Sequence, residues 1–276
     1  MSSDPFSVGE TAAPAWAPSE ASRGWMLLGC VAVLVDAGLS TAGMGAGDPY
    51  TAPAAGSFLR EVSAARPSLR IAWTSTAPNG APVDDECRRV LADTVRRCAE
   101  LGHRVQEADP VVDGAVMVPA FVTIAAANTL VNLGGHPAGK APRADEVEKV
   151  TWAMAGLGQT VTAADYVRAT QTAHRLGRQM AAFHADYDLL LTPALGTLPP
   201  KLGWLDMMMD DVHEYWRRVF AFSPFTVWFN LTGQPAMALP MGRSREGLPV
   251  CVQLVGRFGD EATIFSLAGQ LEAARG

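Results

Sequence analysis

"LRIAWTSTAPNGAPVDDECRRVLADTVRRCAELGHRVQEAD", residues 69–109, carries three patterns in succession. Residues 69–75 are a compact β-rich run that stops at the Pro/Gly turn of residues 77–82, as a buried strand does. Val83, Cys87, Val90, Leu91, Val95, Cys98 and Leu101 then recur at helical spacing. Acids lead this segment, arginines trail it and Gly102 closes it, which suits the helix dipole and a glycine C-cap. Residues 103–109 return to a strand pattern. Strand, helix and strand within about forty residues form a β-α-β unit with its two strands parallel.

The same alternation extends outward. On the amino side, Phe58, Leu59 and Val62 mark a short amphipathic helix. On the carboxyl side, residues 115–133 read as a helix, and a loop from residue 134 leads into another. Thr162 is placed to cap a long helix with Asp165 in its first turn and Tyr166, Val167, Ala173, Leu176, Met180 and Phe183 along its apolar face. Residues 188–200 form an apolar strand stopped by prolines, and residues 212–229 form a helix broken before Pro224. Residues 235–242 and 248–257 predict two more strands, and residues 260–274 a final helix. No internal repeat is present. The expected fold class is α/β, a mixed β-sheet flanked by helices.

Composition narrows the function. The 276 residues are 49% hydrophobic and 18% charged, enough to bury a sizeable core. A net charge of −6 argues against nucleic-acid binding, which needs clustered cations. Cys30, Cys87, Cys98 and Cys251 show no paired spacing, so reduced core thiols and a cytoplasmic setting are expected. Residues 25–35, "WMLLGCVAVLV", are too short for a membrane span of roughly 20 residues. Their lead-in is Pro/Ser/Ala/Glu rather than basic, so neither a signal peptide nor a membrane partner is expected. Residues 1–22 read as a disordered segment and residues 23–46 as an atypical apolar helix followed by a Gly-rich linker.

Several motifs fail on inspection. Gly134, Gly139 and Lys140 approach a phosphate-binding loop, but Ala141 stands where a hydroxyl must hold magnesium, and Pro142 spoils the helix that must follow. His174 and His184 lie ten apart on one helix, and His213–Glu214 lacks a second histidine, so solvated histidines are expected and no metal site. No GxSxG elbow occurs.

The carboxyl-terminal stretches are more specific. "YDLLLTPALGTLPPKLG" (187–203), "FSPFTVWFNLTGQPAMALPMG" (222–242) and "GLPVCVQLVGRFGDEATIFSLAGQLE" (247–272) occur in order, and "GDPYTAP" (47–53) precedes them. This series resembles the carboxyl-terminal half of the amidase signature family, nearest to bacterial amidases that cleave linear or cyclic amides of ω-amino acids. The resemblance covers roughly residues 46–275, so residues 47–276 are expected to form the carboxyl-terminal portion of an amidase-like α/β domain. It implies a substrate cleft beside residues 222–242, with Thr192, Phe225 and Asn230 as its lining residues. Asn230, Thr232 and Gln234 are also placed to satisfy buried backbone groups there. No cofactor or metal is implied.

The resemblance also implies a serine nucleophile, a second serine and a lysine base in a Gly/Ser-rich setting. None of these matches here: the adjacent serines are Ser2 and Ser3, and the lysines are Lys140, Lys149 and Lys201. No catalytic residue is therefore assigned. The expectation is an amidase-family chain whose catalytic half is missing, inactive alone, with an incomplete sheet that self-associates through exposed edges or pairs with a catalytic half. Two other readings stay open: a non-catalytic binding or assembly subunit, and an independent hydrolase using Cys251 or Ser223. For Cys251, in a predicted strand, buried packing is expected.

Overall fold

The computed structural model describes residues 56–64, 66, 68–134 and 142–275. The readings placed on residues 1–46, on "GDPYTAP" and on most of the failed phosphate loop lie outside them. The elements are α1 (Phe58–Ser63), β1 (Arg70–Trp73), α2 (Asp85–Glu100), β2 (Arg104–Glu107), α3 (Gly114–Gly134), α4 (Lys149–Gly158), α5 (Ala163–Asp186), β3 (Leu189–Pro193), α6 (Val212–Phe222), α7 (Thr226–Thr232), β4 (Ala236–Arg243), β5 (Pro249–Gly256) and α8 (Glu261–Ala273).

The five strands make one mixed sheet in the order β2-β1-β3-β5-β4. β1 pairs in parallel with both β2 and β3, as the β-α-β reading requires. β5 runs antiparallel to β3, and β4 antiparallel to β5 as a hairpin with a register shift between Pro240 and Gly242. Alternation along each strand divides the core in two. Ile71, Leu189, Leu191, Val252 and Leu254 face one layer with α1, α2 and α8. Ala72, Leu190 and Val255 face the other, against Met117 of α3, Leu176 and Met180 of α5, and Val227, Trp228 and Phe229 of α7. Burial on both faces explains why β3 reads as an unbroken apolar run.

Helix ends follow the local chemistry. Asp84 caps α2 by accepting the Glu86 N–H at 2.7 Å. Thr162 and Asp165 form a reciprocal capping box at the start of α5. Gly233, at φ 81°, ends α7 in the left-handed conformation and turns the chain into β4. α3 is, among the described residues, the helix long and apolar enough to cross a membrane by length and composition. The apolar stretch singled out from sequence was residues 25–35 instead. Here α3 packs against α4, α5 and α7.

Two sequence expectations are corrected. His184 is not solvated: at 3% exposure it lies in the last turn of α5, its Nδ1 3.3 Å from the Tyr187 carbonyl and its backbone carbonyl accepting from Arg257 Nε. Cys251 is half-buried rather than buried.

Asp188, just before β3, joins three strands. Its carboxylate accepts from the Arg70 backbone N–H at 2.7 Å, the Arg70 guanidinium at 2.9 Å and the Arg257 guanidinium at 2.7 Å. Burial pushes the Asp188 carboxyl upward, but the bonds from Arg70 and the charge of Arg257 outweigh it and hold it below the ordinary 3.8. Since the folded value is depressed, the stabilisation is complete above 3.8 and disappears as pH falls through the lower folded value. Asp188→Asn is expected to lose about 2 kcal/mol at neutral pH. Its stability should also decline less steeply than wild type below about pH 4, as urea unfolding across that range measures.

Candidate functional site

Strands β2, β1 and β3 are parallel, and their carboxyl ends open on the same side. The chain leaves β1 toward β2 on one flank and reaches β3 on the other, so the connections diverge between β1 and β3. Ligands of open α/β sheets bind at such a point. A cavity of about 210 Å³ lies there, lined among others by Thr74, Asp109, Leu190, Thr192, Phe225 and Trp228. Thr74 follows β1, Asp109 follows β2 and Thr192 lies near the end of β3, so the sheet itself brings the three polar groups together.

The hydroxyls are committed. Thr74 donates to Asp109 in a close contact, and its oxygen accepts the Thr76 N–H at 2.9 Å. The buried Thr192 hydroxyl donates to the Pro193 carbonyl at 2.9 Å and accepts from Gln253 Nε2 at 3.2 Å. Trp228 Nε1, by contrast, is buried without a partner, a state that costs about 1–3 kcal/mol. The first turn of α3 closes in beside the pocket: a Cβ on Gly114 would lie 2.0 Å from the Pro78 carbonyl oxygen.

A second, larger groove of about 1190 Å³ runs along α5, with Thr170, Gly177, Arg178, Asn230, Gln234 and Phe258 among its walls. His184 also lines it. Burial, aided by the charge of Arg257, holds the His184 imidazole below its ordinary value against the pull of Tyr187, Asp188 and Asp260. A carbonyl can only accept, so the neutral ring carries its proton on Nδ1, and the buried Nε2 is left as an acceptor without a partner.

The three residues assigned from sequence thus fall in two places. Thr192 and Phe225 line the smaller pocket and Asn230 the larger groove. In the "NLTGQP" segment, Thr232 donates to the Trp228 carbonyl at 3.1 Å and contacts the Gln234 side-chain oxygen closely, while Asn230 is exposed. Asp109, Thr74 and Trp228 were missed. The available signal was their position: Thr74 and Asp109 are polar residues at the carboxyl ends of the predicted parallel strands.

Three serines and one lysine are engaged by neighbouring groups. Ser223 donates to the Val219 carbonyl, Ser244 accepts the Leu248 N–H, and Ser266 donates to the Ala64 carbonyl. Lys149 pairs with Asp210. Burial pushes the Cys87 thiol up to about 11 and the Cys98 thiol up to about 12, and it raises Cys251 as well, which disfavours the thiolates that would attack. No group of three or more metal-ligating side chains occurs among the described residues.

The sequence matches the Amidase family model over residues 29–265. The chain belongs to the amidase family. It is 30% identical over 241 residues to the 6-aminohexanoate-cyclic-dimer hydrolase of Paenarthrobacter ureafaciens, covering 83% of this chain and 48% of that one. It is 26% identical over 222 residues to the lipoamidase of Enterococcus faecalis, covering 73% of this chain and 31% of that one. A solved structure of 6-aminohexanoate cyclic dimer hydrolase superposes with a TM-score of 0.76 at 26% identity, over 90% of this chain and 53% of the other. This amidase-family chain therefore spans half or less of the length of these curated relatives.

The bonding of Thr192 makes it a support of the pocket. Thr192→Val should cost about 1–3 kcal/mol by stranding the buried Gln253 amide, whereas Thr192→Ser should stay near wild type. Thermal and urea unfolding of the two variants checks both.

Proposed function

We propose that this chain supplies the substrate-side portion of an amidase-family hydrolase acting on amide C–N bonds, and that it does not hydrolyse amides alone. The observation that carries this reading is a family match over residues 29–265 in a chain whose serines and lysines match none of the catalytic pattern that the family resemblance implies. Among the described residues, Ser223, Ser244 and Ser266 are held by the backbone, and Lys149 is held by a carboxylate. Acyl transfer needs a hydroxyl whose proton can pass to a nearby base. A linear or cyclic amide of an ω-amino acid is the proposed substrate class, supported by relatives named for 6-aminohexanoate cyclic dimer. Side chains and water suffice for this chemistry, so no cofactor is proposed. Free thiols at Cys87, Cys98 and Cys251 support a cytoplasmic setting.

A second reading, an assembly subunit that pairs with a separate catalytic half, is favoured by one feature. The outer strand β4 carries exposed Ala236, Ala238 and Pro240, whereas the opposite edge, β2, presents Arg104, Gln106 and Glu107. Residues 236–239 of β4 carry no charge and can accept another strand, whereas Pro240, the register shift before Gly242 and exposed Arg243 blunt the rest of that edge.

The test is intact mass of the purified, folded chain after treatment with a fluorophosphonate, alongside assay of amine release from the linear 6-aminohexanoate dimer. Unchanged mass and no release are expected. A stoichiometric serine adduct would overturn the proposal. Release that appears only on co-expression with the amino-terminal half of a related amidase would support it in its paired form.

A further inference from the structure

We propose that His184 is an acid-sensitive latch on the larger groove: a proton taken up at Nε2 frees the last turn of α5 from Arg257 and loosens the walls that both residues line.

The latch combines the backbone and the side chain of one residue. The His184 carbonyl accepts from Arg257 Nε at 2.9 Å, and the same guanidinium donates to Asp188 at 2.7 Å. These bonds tie the end of α5 to the chain that leaves β5. Ala181, His184 and Ala185 line the groove from α5, and Arg257 and Phe258 line it from beyond β5. The neutral ring supports the tie by donating from Nδ1 to the Tyr187 carbonyl, which holds the helix end. Its Nε2 is buried and bonds to nothing.

A second ring proton meets no acceptor. On Nε2 it would be an unpaired donor on a charged group in a site only 3% exposed. The charge of Arg257 opposes it further. Asp188 and Asp260 attract it, but their oxygens are committed. Asp188 accepts from Arg70 and Arg257, and Asp260 accepts from the Thr263 N–H and hydroxyl at the start of α8. α3 and α7, which pack against α5, contain no titratable side chain. On α5 itself, His174 and Arg178 line the groove and supply no anion. The imidazolium is therefore accommodated by turning toward solvent, which draws the last turn of α5 and its carbonyl away from Arg257.

The direction with pH follows from burial, which depresses the folded value below the ordinary 6.5. The latch is fully closed above 6.5 and gives way as pH falls from there toward the lower folded value. Asp188 keeps its charge through this window, since its own value lies below 3.8. The ties from Arg70 to Asp188 therefore persist while the α5 end releases.

The experiment is hydrogen–deuterium exchange of the full chain at about pH 7.5 and about pH 5.5, read by mass spectrometry and corrected for intrinsic exchange. Peptides covering residues 181–188 and 255–260 should exchange about 3- to 10-fold faster at the lower pH, the ceiling being set by one proton. His184→Asn keeps a donor for the Tyr187 carbonyl and does not titrate, so it should abolish the difference. His103→Asn, which removes the other buried histidine among the described residues, should leave it intact. Should His184→Asn not fold, the wild-type chain decides: acceleration confined to these two segments supports the latch, and acceleration spread equally over α2 and α8 overturns it. An unchanged rate, or an acid response that survives His184→Asn, would also overturn it. None of these outcomes bears on amide hydrolysis, so the two proposals fail separately.

Discussion

The carboxylate of Asp188 is the constraint on which the sheet depends. β1, β3 and β5 are adjacent in space, yet their ends come from residues 70, 188 and 257, and hydrophobic burial alone does not set their relative heights. Asp188 sets them by accepting from the backbone and side chain of Arg70 and from the side chain of Arg257. A one-residue slip of β1 against β3 would move Ile71 and Ala72 to opposite layers and separate Arg70 from its acceptor. Charge and register thus enforce each other, and the mixed parallel and antiparallel pairing has one permitted alignment.

The clamp lies at one end of the central strands and the pocket at the other. Because β1 and β3 run parallel, fixing their amino ends fixes where Thr74 and Thr192 emerge. The Thr192–Gln253 bond then repeats the tie to β5 at the pocket end. The site is held by regular strands on its floor and by α7 and the start of α3 on its sides. That arrangement suits binding geometry better than a site made of loops alone.

Much of this was legible in the sequence. Every element from α1 to α8 was signalled by period, cap or turn, and Thr162 and Asp165 announced the start of α5 outright. Strand order was not legible, because periodicity shows which residues share a face and says nothing of which strands are neighbours. His184 was misread for a related reason: it falls four residues after Met180 on the buried face of α5, but the groups that cover it, Arg257 among them, arrive from beyond β5. Phe225 and Asn230 were taken together because they are close in the chain. Five positions along a helix amount to about 140° of rotation, which sends them to different cavities. The family resemblance pointed to the segment but could not divide its residues between those cavities.

One contact has a bearing on how the chain acquires its structure. Gly269 of α8 lies so close to α1 that a Cβ there would be 2.0 Å from the Val62 carbonyl oxygen, and Ser266 donates to Ala64, 202 positions away. α1 has α8 as its principal neighbour, so it has almost nothing to rest on until the last helix is made. Translation proceeds from α1 to α8, so this layer of the core stays open through the synthesis of everything between them. Closing it is a contact of large sequence separation, the kind that slows folding. The nascent chain therefore presents Phe58 and Val62 to solvent, or to a chaperone, until α8 has emerged.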